Sequence, residues 1–297
     1  MKQYMRQILK LALGFLVMSS ALTFVLFSIG KLRVNTEHSE LLDRSYSNAL
    51  RARTLFLITP TVNRYGQLAH ITRLANTLRQ VENLHWIVIE DGNATNPNVE
   101  AQLNRSKTKY TYLFAETNRT TLLKGRGVEQ RNLAIDYIRS LKPKDGLVYF
   151  ADDDNSFDLE LFDVLRRTKY CGVIPVGLLA QLPFEDIDVV DDKVVGFFTI
   201  FGFDRKYQID MAGFVVHVSA FYKDPVPKFY RTVMGGRLES DFLAQVVNDP
   251  SELEPIARDY DRVLAWHTKS ENREAWTVDR IKSLYPDKWK RARKLIV

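Results

Sequence analysis

The sequence predicts an α/β protein with a mixed, mostly parallel central sheet that is flanked by helices. Short continuous apolar runs, as expected of strands covered on both faces, alternate with segments whose apolar residues recur at helical spacing. This alternation of strand and helix is typical of a parallel sheet with helices on its faces. The chain has 297 residues, of which 45% are hydrophobic and 26% charged, so its composition is that of a globular protein with one large or two smaller domains.

The N-terminal segment differs in composition from the predicted domain. Residues 11–30 carry no charge and are about as long as a helix that crosses a hydrocarbon core. We therefore expect an uncleaved membrane anchor, although residues 19–21 (SSA) leave a cleaved signal peptide open. A slight positive excess before the span predicts residues 1–10 as a cytoplasmic tail and the rest of the chain as lumenal or external. Residues 31–53 are polar without an apolar period and indicate a stem.

The alternating elements of the first half begin directly after this stem. LFLIT (55–59) is a continuous apolar run that predicts a buried strand, and we expect Pro60 to end it. Apolar residues then recur at helical spacing from Leu68 to Leu78. The further predicted elements of this half are a strand WIVIE (86–90), a strand YTYLF (110–114), a helix over 128–141 and a strand LVYFA (147–151).

The second half is less regular. Its elements are the apolar runs GVIPVGLL (172–179), KVVGFFTIF (193–201), MAGFVVHV (211–218) and VLAWH (263–267), with a predicted helix over about 238–247. Such short runs indicate a smaller mixed sheet that packs onto the first one. The sequence contains no internal repeat.

Acidic side chains follow two of the predicted strands. Asp91 comes directly after the second strand, and Asp152, Asp153 and Asp154 come after the fourth. Ligands of such sheets bind beyond the carboxyl ends of the strands, and carboxylate oxygens are the ligands that Mg²⁺ and Mn²⁺ prefer. Because adjacent residues leaving a strand point in different directions, at most one or two of the three aspartates can reach a single ion. The alternative is a solvated acidic turn or a helix N-terminus, where Asp is favoured anyway.

Four basic side chains could share the charge of a metal-bound diphosphate. Arg126 and Arg131 belong to RGVEQRN, and His267 and Lys269 to WHTK, just after a predicted strand. Arginines on helices are usually surface residues, and a lone histidine is more often structural. These four residues are therefore candidates, and none of them decides the function.

Further features bear on compartment and partners. Asn93, Asn104 and Asn118 each begin an N-glycosylation triplet, which suits a lumenal domain. Cys171 is the only cysteine, so no intrachain disulfide forms, and stabilisation by the core or by an oligomer such as a homodimer remains open. The net charge of +6 comes partly from a basic cluster over 288–294, which we interpret as a solvated helix face. We expect no nucleic acid partner for a lumenal protein.

The chain resembles the animal β-1,3-glucuronosyltransferases over about residues 54–271. These are Golgi enzymes that add glucuronic acid to galactose on proteoglycan linkers and related glycans. The motifs that carry the resemblance are, in the order and spacing of that family, ITPT..R (58–64), WIVIED (86–91), RGVEQRN (126–132), YFADDDN (149–155), KVVGF (193–197), R.Y..DMAGF (205–214), LES.FL (238–243), ELEP (252–255) and VLAWHTKSE (263–271).

The resemblance implies a GT-A type nucleotide-sugar transferase fold and inversion at the anomeric carbon. It implies UDP-glucuronate as donor, Mn²⁺ as cofactor and a galactose-terminated glycan on a glycoprotein or proteoglycan linker as acceptor. It further implies that residues 54–155 form the donor-binding subdomain and residues 156–297 the acceptor-binding and catalytic subdomain. The expected location is the Golgi membrane, as a single-pass type II protein whose catalytic domain is lumenal.

The resemblance also implies roles for single residues. Asp154 is expected to hold the metal, and Asp153 to contact the ribose. Glu239, the carboxylate of the LES motif, is the expected catalytic base, although a first-turn acid is equally well explained by the helix dipole. The other residues expected at the donor are Pro60, Thr61, Asp91, Arg126, Arg131, Asp152, His267 and Lys269, and those expected at the acceptor are Arg205 and Asp210.

The sequence departs from the family pattern at three places. Val62 stands where the family has a uracil-stacking tyrosine, and Phe201-Gly202 where it has Trp-Glu. Lys269 replaces an arginine, which keeps the charge but loses the planar fork. These changes leave the donor sugar and the acceptor open. Two other classes remain as alternatives: an anchored glycan- or nucleotide-binding protein without turnover, and a metal-dependent phosphoryl-transfer enzyme.

Overall fold

A computed structural model describes residues 45, 48–118, 126–179, 182–199, 202–231, 233, 236–259 and 262–268. The described residues from Arg51 onward belong to one compact unit. The predicted tail, the predicted anchor over 11–30 and most of the predicted stem lie outside the described residues, as does Lys269. Within the described ranges, no helix has both the length and the apolar character of a membrane span.

The described residues form strands and helices in the following order. The strands are β1 (Leu55–Thr61), β2 (Leu84–Glu90), β3 (Tyr110–Phe114), β4 (Leu147–Phe150), β5 (Asn155–Phe157), β6 (Cys171–Val173), β7 (Val176–Gly177), β8 (Phe184–Val190), β9 (Lys193–Phe198), β10 (Phe214–His217), β11 (Glu254–Pro255) and β12 (Ala265–His267). The helices are α1 (Gln67–Leu78), α2 (Pro97–Ser106), α3 (Val128–Leu141), α4 (Glu160–Leu165) and α5 (Leu238–Val246). Short 3₁₀ turns cover Met211–Gly213, Val218–Tyr222 and Pro250–Glu252.

The central sheet confirms the predicted fold class. Its seven strands lie in the order β11-β6-β10-β4-β1-β2-β3. β1 runs parallel to both β2 and β4, β2 runs parallel to β3, and β6 to β11, whereas β10 runs antiparallel to its neighbours β4 and β6. The second sheet has the order β5-β12-β7-β8-β9 and is smaller and mixed, as the short runs of the second half predict.

The order of the central strands reverses next to β1. The chain steps from β1 outward to β2 and β3, and then returns to place β4 on the other side of β1. Such a switch point leaves a crevice outside the carboxyl ends of the strands, where ligands bind. Ile58 pairs with Phe150, so the residues that follow these two positions, Pro60 to Thr61 and Asp152 to Asp154, meet at this crevice.

The expectation that Pro60 ends the first strand is wrong. β1 continues to Thr61, which pairs with the last residue of β2. The Ala151 amide donates to the Ile58 carbonyl at 2.9 Å, so the backbone polar groups of Ile58 face β4. Because successive residues of a strand alternate in direction, the backbone polar groups of Pro60 face β4 as well. The pairing of β1 with β4 ends at Phe150. The missing N–H of Pro60 therefore removes no ladder hydrogen bond.

Two apolar cores cover the faces of the central sheet. Helix α3 packs on the face that carries Phe56 and Ile58, and α1 and α2 pack on the face that carries Leu55 and Leu57. β1 is therefore buried on both faces, as its continuous apolar run predicts. Phe242 of α5 stacks on the Phe229 ring, with centroids 4.4 Å apart, and contacts the Phe150 ring at the end of β4. This contact places the first turn of α5 beside the crevice.

Several elements were not among those predicted. The helices α2 and α4 and the strands β5, β8 and β11 occupy segments that the apolar pattern leaves unassigned. The run GVIPVGLL, predicted as one element, divides into β6 and β7, which belong to different sheets. The predicted bounds of β3 and α3 are confirmed to the residue.

Candidate active site

The three aspartates after β4 have different neighbours. Asp153 is buried and accepts hydrogen bonds from Thr61 Oγ1 and from Arg64 Nη2, each at 2.6 Å. Asp152 accepts from Arg131 Nη2 at 2.6 Å. The carboxylate of Asp154 has no hydrogen-bond or ion-pair partner among the described residues, and its carbonyl accepts from the Thr268 hydroxyl. Asp154 is thus the member of the run whose carboxylate is left for a ligand.

The surroundings of Asp154 fit a hard divalent cation. Burial raises the pKa of Asp154, the neighbouring charges of Asp152 and Asp153 raise it further, and His267 opposes them. A positive ion would relieve this crowding of like charges, and oxygen is its preferred ligand. Among the described residues no three His, Cys, Asp or Glu side chains are grouped as a metal cage. An ion here would therefore take Asp154 as a protein ligand and complete its shell with oxygens of a bound ligand or water.

Arg131 is buried beside Asp152, unlike the usual helical arginine. Its Nη1 donates to the Arg126 carbonyl at 2.9 Å, and its guanidinium lies 5.7 Å from the centre of the Phe229 ring. Gly127 precedes α3 with a left-handed φ of 70°, and a Cβ there would lie 2.6 Å from Arg131 Nη1. Glycine at this position thus lets the guanidinium fold back toward the aspartates. Arg126 itself is exposed and contributes its carbonyl to this arrangement.

A cavity of about 760 Å³ lies between the loop after β1 and the loop after β2, and it is lined by Arg64, which donates to Asp153. Asp91 lines it, with one carboxylate oxygen held by the Thr117 amide at 2.8 Å. Glu90 also lines it and accepts from Gln67 Nε2 at 2.9 and 3.0 Å and from the Tyr112 hydroxyl at 2.5 Å. Burial raises the pKa of Glu90, and these donors partly offset the shift. The cavity is therefore walled by carboxylates whose positions are fixed by hydrogen bonds.

A second acidic group, formed by Asp210 and Glu239, lies within reach of the charge of Arg131. Asp210 begins a 3₁₀ turn and accepts from the Ala212 amide at 3.0 Å, and burial raises its pKa. Glu239 lies in the first turn of α5. Burial and then the charge of Asp210 raise the pKa of Glu239 to about 7, while Arg131 and Arg205 act in the opposite direction. Glu239 therefore gains and loses its proton near neutrality, where its ionised form can act as a general base.

Arg205 is buried at this second group. Its Nε donates to the Gly202 carbonyl at 3.3 Å and its Nη1 to the Gly236 carbonyl at 3.2 Å. Gly202 has a left-handed φ of 64°, and a Cβ there would lie 2.5 Å from Arg205 Nε. The departure from the family pattern at Gly202 thus coincides with an arginine that folds back over the glycine, as Arg131 does over Gly127.

The electrostatic neighbours of these carboxyls connect them. Beyond the effect of burial, Asp153 and Asp91 act on the pKa of Glu90, and His267, Asp152 and Arg131 act on that of Asp210. Asp152, His267 and Asp153 also act on the pKa of Asp154, and Asp210, Arg131 and Arg205 on that of Glu239. The charged groups that border the crevice thus form one connected set, which includes the carboxylates at the cavity and Glu239 on α5.

The sequence profile of glycosyltransferase family 43 matches residues 74–271 of this chain. The human protein named galactosylgalactosylxylosylprotein 3-beta-glucuronosyltransferase 3 is 40% identical over 238 residues, which cover 73% of this chain and 71% of that protein. The chain belongs to glycosyltransferase family 43. The GT-A type fold that the resemblance implies agrees with the mixed sheet and flanking helices described above.

Two further relatives of family 43 are similar to the same extent. The human enzyme named galactosylgalactosylxylosylprotein 3-beta-glucuronosyltransferase 2 is 41% identical over 225 residues, covering 73% of this chain and 69% of that protein. The rat protein with the same name and number 1 is 40% identical over 232 residues, with the same two shares. The crystal structure of S. aureus TarS 1–349 with UDP-GlcNAc aligns at a TM-score of 0.48 and 15% identity, over 82% of this chain and 65% of that one. This chain thus spans less than two thirds of the TarS chain, and the likeness is too distant to bear on the site.

The structure brings most of the predicted site residues of this family 43 chain together. Pro60, Thr61, Asp91, Arg131, Asp152, Asp153, Asp154, His267, Asp210, Arg205 and Glu239 all belong to the crevice or to the groups that border it. The side chain of Arg126 is exposed, and Lys269 lies outside the described residues. The functional roles of all these residues remain predictions.

Sequence reasoning missed two residues of the site. Arg64 ends the motif ITPT..R but received no role, and the structure shows it holding Asp153. Glu185 on β8 is buried, and Asp210 raises its pKa while Arg205 lowers it, after the larger effect of burial. The arginine of the motif was a usable signal. No such signal exists for Glu185, because the apolar pattern does not predict β8. In the acidic sequence FEDIDVV, nothing distinguishes the one acid that faces inward from the others.

Proposed function

We propose that the protein is an inverting glycosyltransferase that moves glucuronic acid from UDP-glucuronate to the 3-hydroxyl of a terminal galactose on a glycoprotein or proteoglycan linker glycan. Family membership and the names of the relatives support this reaction class. The observation that carries the proposal is the position of Glu239. Its carboxylate, of raised pKa, belongs to the same connected set of charged groups as Glu90 and Asp91, which line a cavity large enough for a nucleoside.

The donor nucleotide would lie across this set of charged groups, with its base in the cavity and its diphosphate at the aspartates. The cavity beside Asp91 receives the nucleoside, and Asp153, held rigidly by Thr61 and Arg64, lies where the ribose follows. Arg131 and His267 then share the negative charge of the diphosphate. The position of the cavity at the carboxyl ends of β1 and β2, next to the switch point, supports this direction.

Glu239 acts on the acceptor in this proposal. It takes the proton of the acceptor hydroxyl while that oxygen attacks the anomeric carbon on the side opposite UDP. The bond from the anomeric carbon to UDP breaks with its electron pair on the diphosphate, so one displacement inverts the configuration. Asp210 lies beside Glu239 and raises its affinity for the proton.

We further propose Mn²⁺ as the cofactor, with Asp154 as its protein ligand. When bound, the ion supplies positive charge that stabilises the diphosphate as it leaves. The unpartnered carboxylate of Asp154, beside two carboxylates that already have partners, supports the assignment. Asp152, held by Arg131, and Asp153, held by Thr61 and Arg64, position the run without competing for the ion.

Transfer assays on the full-length, detergent-solubilised protein test this function. Several UDP-sugars are offered with a panel of glycan acceptors, with and without Mn²⁺, and we expect transfer of glucuronic acid to terminal galactose. Asp154→Ala is expected to abolish transfer and metal-dependent UDP binding without lowering the melting temperature, because Asp154 makes no core contact. Asp188→Ala, at an exposed aspartate of β8, is the matched control and should behave as wild type.

The outcomes separate the alternatives. Transfer of another sugar would replace the donor in the proposal, and transfer to another glycan would replace the acceptor. Either result keeps the reaction class, which is glycosyl transfer. UDP-glucuronate binding without transfer or hydrolysis indicates a binding protein that has lost turnover. Mn²⁺-dependent UDP affinity that survives in Asp154→Ala, measured by calorimetry, removes Asp154 from the metal site.

We propose that the protein is a single-pass type II protein of the Golgi membrane with a lumenal catalytic domain. The uncharged span over 11–30 and the basic residues before it support this topology. In intact microsomes the C-terminal domain should resist added protease and become sensitive when detergent is added. Digestion without detergent contradicts the topology. A tag on the N-terminus serves as the control, because it should be removed in both conditions.

A further inference from the structure

Tyr65 borders the cavity beside Asp91, and the residue is 62% exposed. Of the described residues that line this cavity, it is the only aromatic one. It forms no hydrogen bond with another described residue. A single exposed tyrosine needs no explanation by itself, so its position has to carry the argument.

The backbone around Tyr65 is held on both sides. Arg64 donates to Asp153 Oδ1 at 2.6 Å and lies 3.0 Å from His70 Nδ1. Gln67 donates to the Glu90 carboxylate at 2.9 Å, and its amide bonds to the Arg64 carbonyl at 3.0 Å. The residues before and after Tyr65 thus turn inward and are anchored, while its ring remains at the cavity. A ring presented from an anchored turn loses little conformational freedom when it binds a ligand.

The opposite wall of the cavity is polar. It consists of the loop after β2 and the first residues of α2, with the side chains of Asp91, Asn93, Asn96 and Asn98. One aromatic face opposite a wall of carboxylate and amide groups suits a flat heteroaromatic ligand with hydrogen-bonding edges. A sugar ring offers no comparable π-face, so this chemistry favours a nucleobase.

We propose that Tyr65 stacks on the nucleobase of the donor and sets the affinity of the enzyme for the nucleotide. This inference rests on the proposed function, in which a UDP-sugar lies with its diphosphate at Asp152 to Asp154. The diphosphate end of the donor does not reach Tyr65. The contribution of Tyr65 should therefore appear for ligands that carry an aromatic base and be absent for those that do not.

Calorimetry on the full-length protein with Mn²⁺ tests the stacking. The ligands are UDP, 5,6-dihydro-UDP, whose base keeps its carbonyls and N3–H but is not planar, and inorganic pyrophosphate. We expect Tyr65→Ala to weaken UDP binding about tenfold or more, as expected for loss of 1–3 kcal/mol of base–aromatic stacking. Pyrophosphate binding should stay within about twofold, and Tyr65→Phe should bind UDP nearly as wild type does.

Dihydro-UDP tests the same stacking interaction from the side of the ligand, so that protein variant and ligand together form a double-mutant cycle. Wild type should bind it about tenfold more weakly than UDP, whereas Tyr65→Ala should bind the two alike, because the lost interaction is the same one. Tyr222→Ala is the matched control, since Tyr222 is 50% exposed and contacts the Pro143 carbonyl before β4, at the opposite end of the sheet. It should leave all three affinities unchanged.

Each other result overturns the inference in a recognisable way. UDP affinity within twofold of wild type in Tyr65→Ala shows that the ring does not stack on the base. Equal losses for UDP and pyrophosphate show that Tyr65 acts on the diphosphate or on the fold. A wild-type protein that binds pyrophosphate with Mn²⁺ but no UDP overturns the proposed function, and this inference with it.

Discussion

Asp152, Asp153 and Asp154 are consecutive in the sequence, yet each has its own neighbours in the fold. Asp152 bonds to Arg131 and Asp153 to Thr61, whereas the Asp154 carboxylate has no partner among the described residues. The sequence predicts that only one or two of the three can serve one ion, since adjacent residues leaving a strand point apart. Which carboxylate is left without a partner depends on residues distant in the chain, and only the structure shows these residues.

Glu239 carries the residue-scale prediction. Glu239→Gln keeps the size of the side chain but removes the base, so we expect kcat to fall on the order of a hundredfold or more, with UDP affinity changed only a few-fold. The pKa of Glu239 is about 7, and only the ionised form accepts a proton. Wild-type kcat/KM should therefore rise about tenfold per pH unit below that pKa and level off above it. The residual activity of the variant should lack this dependence.

The control is an acid in the same helical turn. Asp241 also belongs to the first turn of α5, and burial also raises its pKa, but no other group of the site acts on it. Asp241→Asn should keep both the wild-type kcat and the pH profile. A Glu239→Gln enzyme within threefold of the wild-type kcat would remove Glu239 from the mechanism and return the role of base to Asp210.

At the scale of elements, the sequence predicts best where local pattern and tertiary environment agree. β3 and α3 end where the apolar pattern ends. α3 presents its apolar residues to one core, whereas β3 alternates, with Tyr110 and Tyr112 on one core and Leu113 on the other. α2 was missed although Asn96 caps it and Pro97 occupies its first turn, both ordinary start signals. Its buried face consists of Val99, Leu103 and Ser106, too few apolar residues for a search by helical spacing.

The burial of charged side chains is the part of the site that no local pattern predicts. Arg131 lies on a helix, where arginines are usually exposed, yet it is buried because Gly127 leaves room for its guanidinium. Glu185 lies on a strand rich in acids and faces inward toward the Thr199 hydroxyl. The sequence therefore indicates Arg131 only as one of four basic candidates, without its burial, and it does not indicate Glu185 at all.

The turn from Gly202 to Arg205 provides an element-scale prediction. Arg205 closes this turn by donating its amide to the Gly202 carbonyl at 2.9 Å, and its side chain reaches the Gly236 carbonyl before α5. In Gly202→Ala the new Cβ would overlap Arg205 Nε, and the left-handed backbone adds strain on the order of 1–3 kcal/mol. We expect Arg205 to be displaced, and kcat/KM for the acceptor to fall about tenfold at unchanged UDP affinity.

A double-mutant cycle distinguishes displacement of Arg205 from general loss of stability. Arg205→Ala alone should reproduce the loss, and the double variant should lose no more than either single one, because both remove the same interaction. Additive losses would show that Gly202 acts elsewhere. Thermal melting of each variant accompanies the kinetics, since a folded fraction below wild type lowers the rate without any change in the site.

At the scale of the whole molecule, both ends of the proposed site share one sheet. β4, which leads to the aspartates, is paired with β1 on one side and with β10 on the other. β10 lies beyond position 155, the predicted boundary between donor and acceptor subdomains. The division into two subdomains stays a prediction about binding. In the sheet, the hydrogen bonds between β4 and β10 join residues on the two sides of position 155.

A fragment of residues 54–155 tests whether the first half of the chain needs β10 to fold. Without β10, one edge of β4 is unpaired, and an exposed hydrophobic edge promotes association. We expect the fragment to show no cooperative thermal transition by circular dichroism and to sediment as aggregates. The control is a fragment of residues 51–268, which retains β10 and should melt cooperatively. A monomeric 54–155 fragment with a cooperative transition would show that the first half folds by itself.

The antiparallel insertion of β10 also sets an order on synthesis. A chain made from its N-terminus presents β4 to solvent until residues 214–217 have emerged, because no earlier strand pairs with that edge. During this interval the growing chain carries an open strand in the middle of its future sheet, where wrong pairing is a hazard. The arrangement that joins the aspartates to the proposed proton acceptor thus makes completion of the sheet wait for most of the chain to be made.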